Sequence, residues 1–162
     1  MHENEIRLLQ QNYPALQGEG IRLSLKEQLP DTTDIDYADR FTRSTLGANQ
    51  QNPHAGIMAT MIGGAGNTWY HGKGVAPAIR MFGSSFSNLF PDTLSYYQQN
   101  QISIQNHSYG VGVENFYGTD AAAYDLQTNQ NNQLVHVFSS GNSGDSVSNS
   151  TKYNQISRFA NI

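Results

Sequence analysis

The clearest hydrophobic pattern begins at Ile21, where Ile21, Leu23 and Leu25 alternate with Arg22, Ser24 and Lys26. Alternation with a period of two sends successive side chains to opposite faces, so this segment predicts a strand with one face buried. Ahead of it, Ile6, Leu8 and Leu9, closed by Pro14, form a short amphipathic arm or helix, and residues 1–17 are assigned to that arm. Behind it, Pro30 to Asp36 is acidic turn chemistry. From Ala55 to Ile62 the residues are small and apolar, with Gly56 as the one breaker, and Gly63-Gly64 follows; this predicts a buried helix opened by His54. Ala76 to Phe82 is a short apolar run that predicts a second strand. Pro91-Asp92 opens a helix through Gln99, with proline at the first helical position, where its missing N–H costs nothing. A third strand runs Ile102 to Asn106, a helix covers Thr119 to Asn129, and a fourth strand, Leu134 to Phe138, ends at Ser139 to Gly144.

Helices alternating with short strands imply right-handed βαβ units on a parallel sheet, an α/β fold. Ligands of such sheets bind at the carboxyl ends of the strands. That edge receives Glu27 after the first strand, His107 and Ser108 after the third and Asn142 after the fourth, and the helix opened by His54 points its N-terminus there.

Composition narrows the chemistry. At 162 residues the chain is long enough for one hydrophobic core. Only 14% of residues are charged, against about 25% in ordinary domains, so amides, hydroxyls and glycine carry the solubility. A net charge of -4 without a run of Lys or Arg argues against nucleic acid as a partner. No apolar stretch is long enough for a membrane span, and the N-terminus lacks the profile of a secretory signal. With no cysteine, disulfides, thiolate metal sites and cysteine nucleophiles are excluded. No histidine pair has zinc spacing and no EF-hand loop occurs, so neither a metal nor another cofactor is expected. The glycines at Gly63-Gly64-Ala65-Gly66 and Gly72-Lys73-Gly74 follow a helix rather than the first strand and lack Gly-Lys-Ser/Thr, so nucleotide binding is not expected. His136 within its strand reads as a packing residue, His71 as a loop residue, His107 as packing or a substrate contact, and Trp69-Tyr70 as loop packing.

A carboxylate at a strand end, a histidine at a helix start and an asparagine in a glycine-flanked turn are the non-nucleophilic parts of acyl transfer through serine. The residues around them resemble the subtilisin-like serine peptidases, the subtilases, from about Gly18 onward. Pro53-His54-Ala55-Gly56-Ile57-Met58-Ala59-Thr60 is similar to the family's histidine segment, and Gly74-Val75-Ala76-Pro77 to its Gly-Val-Ala-Pro. Asn106-His107-Ser108-Tyr109-Gly110 is similar to the substrate-cleft edge Asn-Met-Ser-Leu-Gly, and Ser139-Ser140-Gly141-Asn142-Ser143-Gly144 to Ala-Ala-Gly-Asn-Ser-Gly, which carries the oxyanion amide. The resemblance implies His54 as general base, Asn142 as oxyanion donor, and Ser108, Tyr109 and Gly110 as the edge that receives a polypeptide substrate in extended form.

Two departures stand out. Where the family has its catalytic aspartate, nine residues before Asp36-Tyr37, this chain has Glu27; Asp31, Asp34 and Asp36 remain as alternatives, with turn or capping roles as the simpler account. The family's nucleophile string Gly-Thr-Ser-Met-Ala-x-Pro is absent, and Gly83-Ser84-Ser85, Ser143 and Ser146 have the neighbours of ordinary turns. Residues 18–162 are therefore expected to be the N-terminal portion of a subtilase catalytic domain with a three-layer parallel-sheet fold, incomplete at its C-terminus. Such a portion is inactive alone, leaves a strand edge and apolar faces uncovered, and takes the missing half of the domain as its partner. A non-catalytic subtilase-like domain that binds peptide or a partner is the alternative, and a nucleotide or sugar binder lacks its motifs. The family's habit implies a secreted or cell-surface location, with the signal peptide outside this chain.

Overall fold

The computed structural model describes residues 5–110 and 116–142. They divide into two compact units, one running to Ser85 and one starting at Phe86.

The first unit opens with helix α1 (Ile6–Asn12), which buries none of its residues and is fastened through Gln10 Nε2, donating to the carbonyl of Gly74 at 2.9 Å. Strands β1 (Arg22–Lys26), β2 (Phe41–Thr42) and β3 (Arg80–Ser84) form a parallel sheet in the order β2-β3-β1. Arg22 is level with Arg80, Lys26 with Ser84, and Phe41 with Met81. The alternation in β1 predicts one buried face, yet Ser24 and Lys26 are as inaccessible as Leu23 and Leu25. Parallel sheets are covered on both faces, so a polar residue in such a strand is buried together with its apolar neighbours. Strand β2, two residues long, has no period to read and no sequence signal announced it. β3 starts later than the apolar run suggests, because Ala76-Pro77-Ala78 turns before the strand, and Gly83-Ser84 belong to β3 rather than to a turn after it.

Helix α2 (Pro53–Gly63) packs on β3. A Cβ on Gly63 would lie 2.9 Å from Ile79 Cγ2, so only glycine permits that approach. Its burial is narrower than expected: Ala55, Ala59 and Gly63 are buried while Ile57 and Met61 remain more than half exposed. The loop that follows is clamped at its base, with Gly74 N donating to Gly64 O at 2.9 Å and Ala65 bridged to Lys73. At its tip Trp69 stacks on Tyr70 and on His71, Tyr70 and His71 are tilted to each other, and all three stay exposed.

The second unit holds helix α3 (Leu94–Asn100), strand β4 (Ile104–His107), helix α4 (Thr119–Gln130) and strand β5 (Val135–Phe138). β4 and β5 pair in parallel, Ile104 level with Val135 and His107 with Phe138. α3 starts at Leu94 rather than at Pro91; Thr93 is its cap, with Oγ1 accepting from Tyr96 N at 3.4 Å. In β5 the valines Val135 and Val137 face outward, while His136 is turned toward Tyr97 and Tyr124. Tyr109 and Tyr124 centre the core, with Phe86, Leu89 and Phe138 against them. No described helix is long and apolar enough to cross a membrane.

Candidate active site

Glu27 lies one residue beyond β1, where its N–H donates to Ser84 O at 2.8 Å. Two residues on, Leu29 N donates to Gln50 O and Asn52 N donates to Leu29 O, both at 2.9 Å. These bonds lace the exit of β1 to the entry of α2. Asn52 then caps α2: its backbone is extended and its Oδ1 accepts from His54 N at 2.8 Å, with Pro53 at the first helical position. Asn-Pro ahead of an apolar run is a start signal readable in the sequence, and the cap fixes where the His54 side chain leaves the helix.

Those constraints bring Glu27 Oε1 to 3.1 Å from His54 Nδ1. The two differ sharply in environment, the Glu27 side chain being 4% exposed and that of His54 52%. The approach is close but not aligned, and Oε1 makes no well-directed hydrogen bond, while Oε2 accepts from Gln28 N at 3.3 Å. Burial raises the carboxyl above its ordinary value near 4.5, against the opposing pull of His54 and of the Gln28 N–H. With Nδ1 against the acid, Nε2 is the ring nitrogen that Glu27 does not engage, on a side chain that is half exposed.

The three aspartates held as alternatives are engaged locally. Asp31 Oδ1 accepts from Thr33 N at 2.9 Å and from Thr33 Oγ1 at 2.7 Å, an Asx turn. Asp34 Oδ1 accepts from Asp36 N at 2.9 Å, and Asp36 Oδ1 holds the loop after α2 through Asn67 N at 2.5 Å. Among the described residues, Glu27 is the acid in contact with His54.

A cavity of about 550 Å³ opens beside the first turns of α2, with Asn52, Pro53, Gly56, Ile57 and Tyr37 in its wall. The Tyr37 hydroxyl is buried without a hydrogen-bond partner, and burial together with Asp34, Asp31 and Asp36 pushes it up to about 12. Tyr37 was read only as a landmark for counting back to Glu27, because a lone tyrosine in an acidic stretch carries no spacing signal.

The remaining candidates lie in the second unit. Ser108, Tyr109 and Gly110 follow β4, and Asn142 follows β5. Ser139 N donates to His107 O at 3.0 Å, so the two turns leave neighbouring strand ends. Asn142 is exposed; Tyr109 is buried, with its ring stacked on Phe86 at 5.0 Å. His107 is buried in the network of this unit rather than open to a cleft, and His136 packs as expected. Ser143 and Ser146 lie outside the described residues. Ser84 is buried within β3. Among the described residues no cluster of His, Asp or Glu could hold a metal ion.

Residues 9–162 match the Subtilase family, Peptidase S8. This chain belongs to the subtilase family. Its match covers nearly the whole sequence, including the segments around Glu27, His54, Ser108 and Asn142. Among solved structures, the subtilase chain is similar to the prenylagaramide maturation protease PagA, with a TM-score of 0.64 and 18% identity over 84% of this chain and 51% of that one. It is also similar to the self-cleaved protease domain of PatA, with a TM-score of 0.60 and 23% identity over 80% of this chain and 52% of that one. For MycP1 without its N-terminal propeptide the TM-score is 0.56 and the identity 15%, over 89% and 50%. At these identities the likeness establishes the α/β fold, and the subtilase chain spans about half the length of each relative. No curated protein matches it.

Proposed function

We propose that this chain supplies the base, acid and oxyanion parts of a subtilase-type serine endopeptidase, with the nucleophilic serine provided from outside these 162 residues. The observation that carries the reading is the 3.1 Å approach of Glu27 Oε1 to His54 Nδ1. An acid on Nδ1 favours the tautomer whose Nε2 accepts a proton, and the ring belongs to a half-exposed side chain at a capped helix start. In the reaction His54 takes the serine proton as the hydroxyl attacks the scissile carbonyl, Glu27 stabilises the imidazolium, and the Asn142 amide donates to the developing oxyanion. His54 then protonates the leaving amine, and water repeats the sequence on the acyl-enzyme. The edge at Ser108, Tyr109 and Gly110 receives the polypeptide as an added strand. A secreted or cell-surface location, and the remaining half of the domain as partner, belong to the same reading.

A second reading, a domain that keeps the cleft and binds peptide without cleaving it, is favoured by the poor alignment of Glu27 on His54. One comparison separates the two. A longer protein that continues into a Gly-Thr-Ser segment is treated with a fluorophosphonate serine probe beside its His54→Ala form. The peptidase reading expects labelling that is lost in the variant, and none in the 162-residue chain; a longer protein that binds peptide but never labels overturns it.

A further inference from the structure

The cavity beside α2 has an acidic rim that the catalytic reading does not use. Asp31 and Asp34 border it, and the Oδ1 atom of each is taken up locally, Asp31 by Thr33 and Asp34 by the Asp36 N–H. The second oxygen of each carboxylate accepts no hydrogen bond, and neither aspartate has an ion-pair partner among the described residues. The Thr33 bonds hold the Asp31 carboxyl below its ordinary value, so it stays charged. Lys73, exposed at the same cavity, pairs with neither of them. The protein's own cation thus leaves both carboxylates available.

Next to the rim the wall is apolar, with Pro53, Ile57 and Met61 along α2. Tyr37 belongs to the same wall, and its hydroxyl is buried without a hydrogen-bond partner. A Cβ on Gly56 would stand 3.6 Å from that hydroxyl and within 4 Å of nothing else, so at this helix position no side chain covers it. Burial first, and then Asp34, Asp31 and Asp36, push the hydroxyl up to about 12, which marks the field at the wall as negative. A buried polar group without a partner, in a negative field, calls for a donor that carries positive charge.

The size and the donor set select the kind of cation. Among the described residues no three acidic or imidazole groups converge as a metal ion needs. At about 550 Å³ the cavity has the volume of a site for an organic group. A long side chain with an apolar stem and a charged head matches both the apolar wall and the acidic rim. We propose that this cavity binds an arginine or lysine side chain of a polypeptide, its stem along Pro53, Ile57 and Met61 and its head at the Asp31 and Asp34 carboxylates and the Tyr37 hydroxyl. Holding the side chain needs no nucleophile, so the inference stands apart from the peptidase reading, although both use helix α2.

The test titrates the 162-residue chain at pH 7 with N-acetyl-arginine amide and N-acetyl-lysine amide, read by ligand-observed saturation-transfer NMR, which tolerates self-association of the protein. Ligands of this size are expected to bind with a Kd of about 1 mM. N-acetyl-citrulline amide has the shape of the arginine probe without its charge and is expected to bind at least about fivefold more weakly. Two variants place the site. Asp31→Asn with Asp34→Asn keeps an oxygen for the Thr33 and Asp36 bonds and is expected to bring arginine down to the level of citrulline. Gly56→Ala sets a methyl group over the Tyr37 hydroxyl at ordinary contact distance, in a helix that favours alanine, and is expected to weaken both cations without lowering the melting temperature. No transfer to either cation, equal binding of arginine and citrulline, or unchanged binding in either variant overturns the proposal, and the first two need no variant to fold. Serine labelling reads the nucleophile and this titration does not, so failure of one leaves the other standing.

Discussion

Glu27 is a carboxylate held where water barely reaches it, beside an imidazole that is half in solvent. Because burial outweighs the pull of His54 and raises its titration point above 4.5, keeping the charge costs the folded state free energy, a cost that builds as the pH rises past the ordinary value and is complete above the raised one. Below the ordinary value both folded and unfolded chains hold the proton and the cost vanishes. Glu27→Gln is therefore expected to raise the melting temperature at pH 7 and to leave it unchanged near pH 3.5, as read by thermal denaturation at the two pH values. In a longer, active protein the same change should lower kcat by at least a hundredfold, since an amide cannot stabilise the imidazolium. A variant that melts lower at pH 7 would show that pairing with His54 outweighs burial. Glu27 could be located from sequence by counting along the family pattern, and its neighbour His54 by the motif around it. The misalignment of the pair could not, because it depends on side-chain angles that no spacing encodes. Tyr37 and the His107–His136 contact were also out of reach: a lone tyrosine carries no spacing signal, and two histidines 29 positions apart meet only when β4 and β5 pair.

At the scale of elements, the base is only as well placed as the first turn of α2. Asn52 holds that turn through its side chain, and Asn52→Ala should cost about 1 kcal/mol of stability. Urea denaturation of the chain checks the magnitude. A loss near zero would mean that the laces from Leu29 position His54 without the cap. α4 was legible to within one residue, since its alanine-rich run is long and begins after Gly118. β1 was legible in position and not in burial, because alternation reports which residues are polar and not how many layers cover the sheet. α3 was displaced at its start for a similar reason: Pro91 is a good first helical residue, but Thr93 supplies a side-chain oxygen that a proline cannot, and the helix follows the cap.

For the molecule as a whole, the exposed side of α2 is the conspicuous debt. Ile57 and Met61, one helical turn apart, are 55% and 56% exposed in a chain that spans about half the length of its solved relatives. Together with Val135 and Val137 on β5, they leave apolar surface that a soluble monomer ordinarily covers. The chain by itself is expected to bind a hydrophobic dye and to sediment as more than a monomer, and the double variant Ile57→Lys, Met61→Lys should reduce both without lowering the melting temperature. A monodisperse, dye-free chain would show that these side chains are tolerated in water as they stand. The family was readable from four short motifs in sequence, and the parallel α/β class from the alternation of helices and short strands. The extent of uncovered surface was not, because a sequence pattern marks a residue as apolar without saying which other segment lies over it.

The clamped loop after α2 has a practical side. Its two ends are tied by the Gly74–Gly64 bond and the Ala65–Lys73 bridge, so the distance the loop must span is already fixed, whatever lies at its tip. Lengthening such a loop costs only about 0.6 kcal/mol per doubling. The stretch from Trp69 to His71 is thus a natural cloning port, where an affinity tag or reporter peptide can be displayed while the helix bearing His54 keeps its footing.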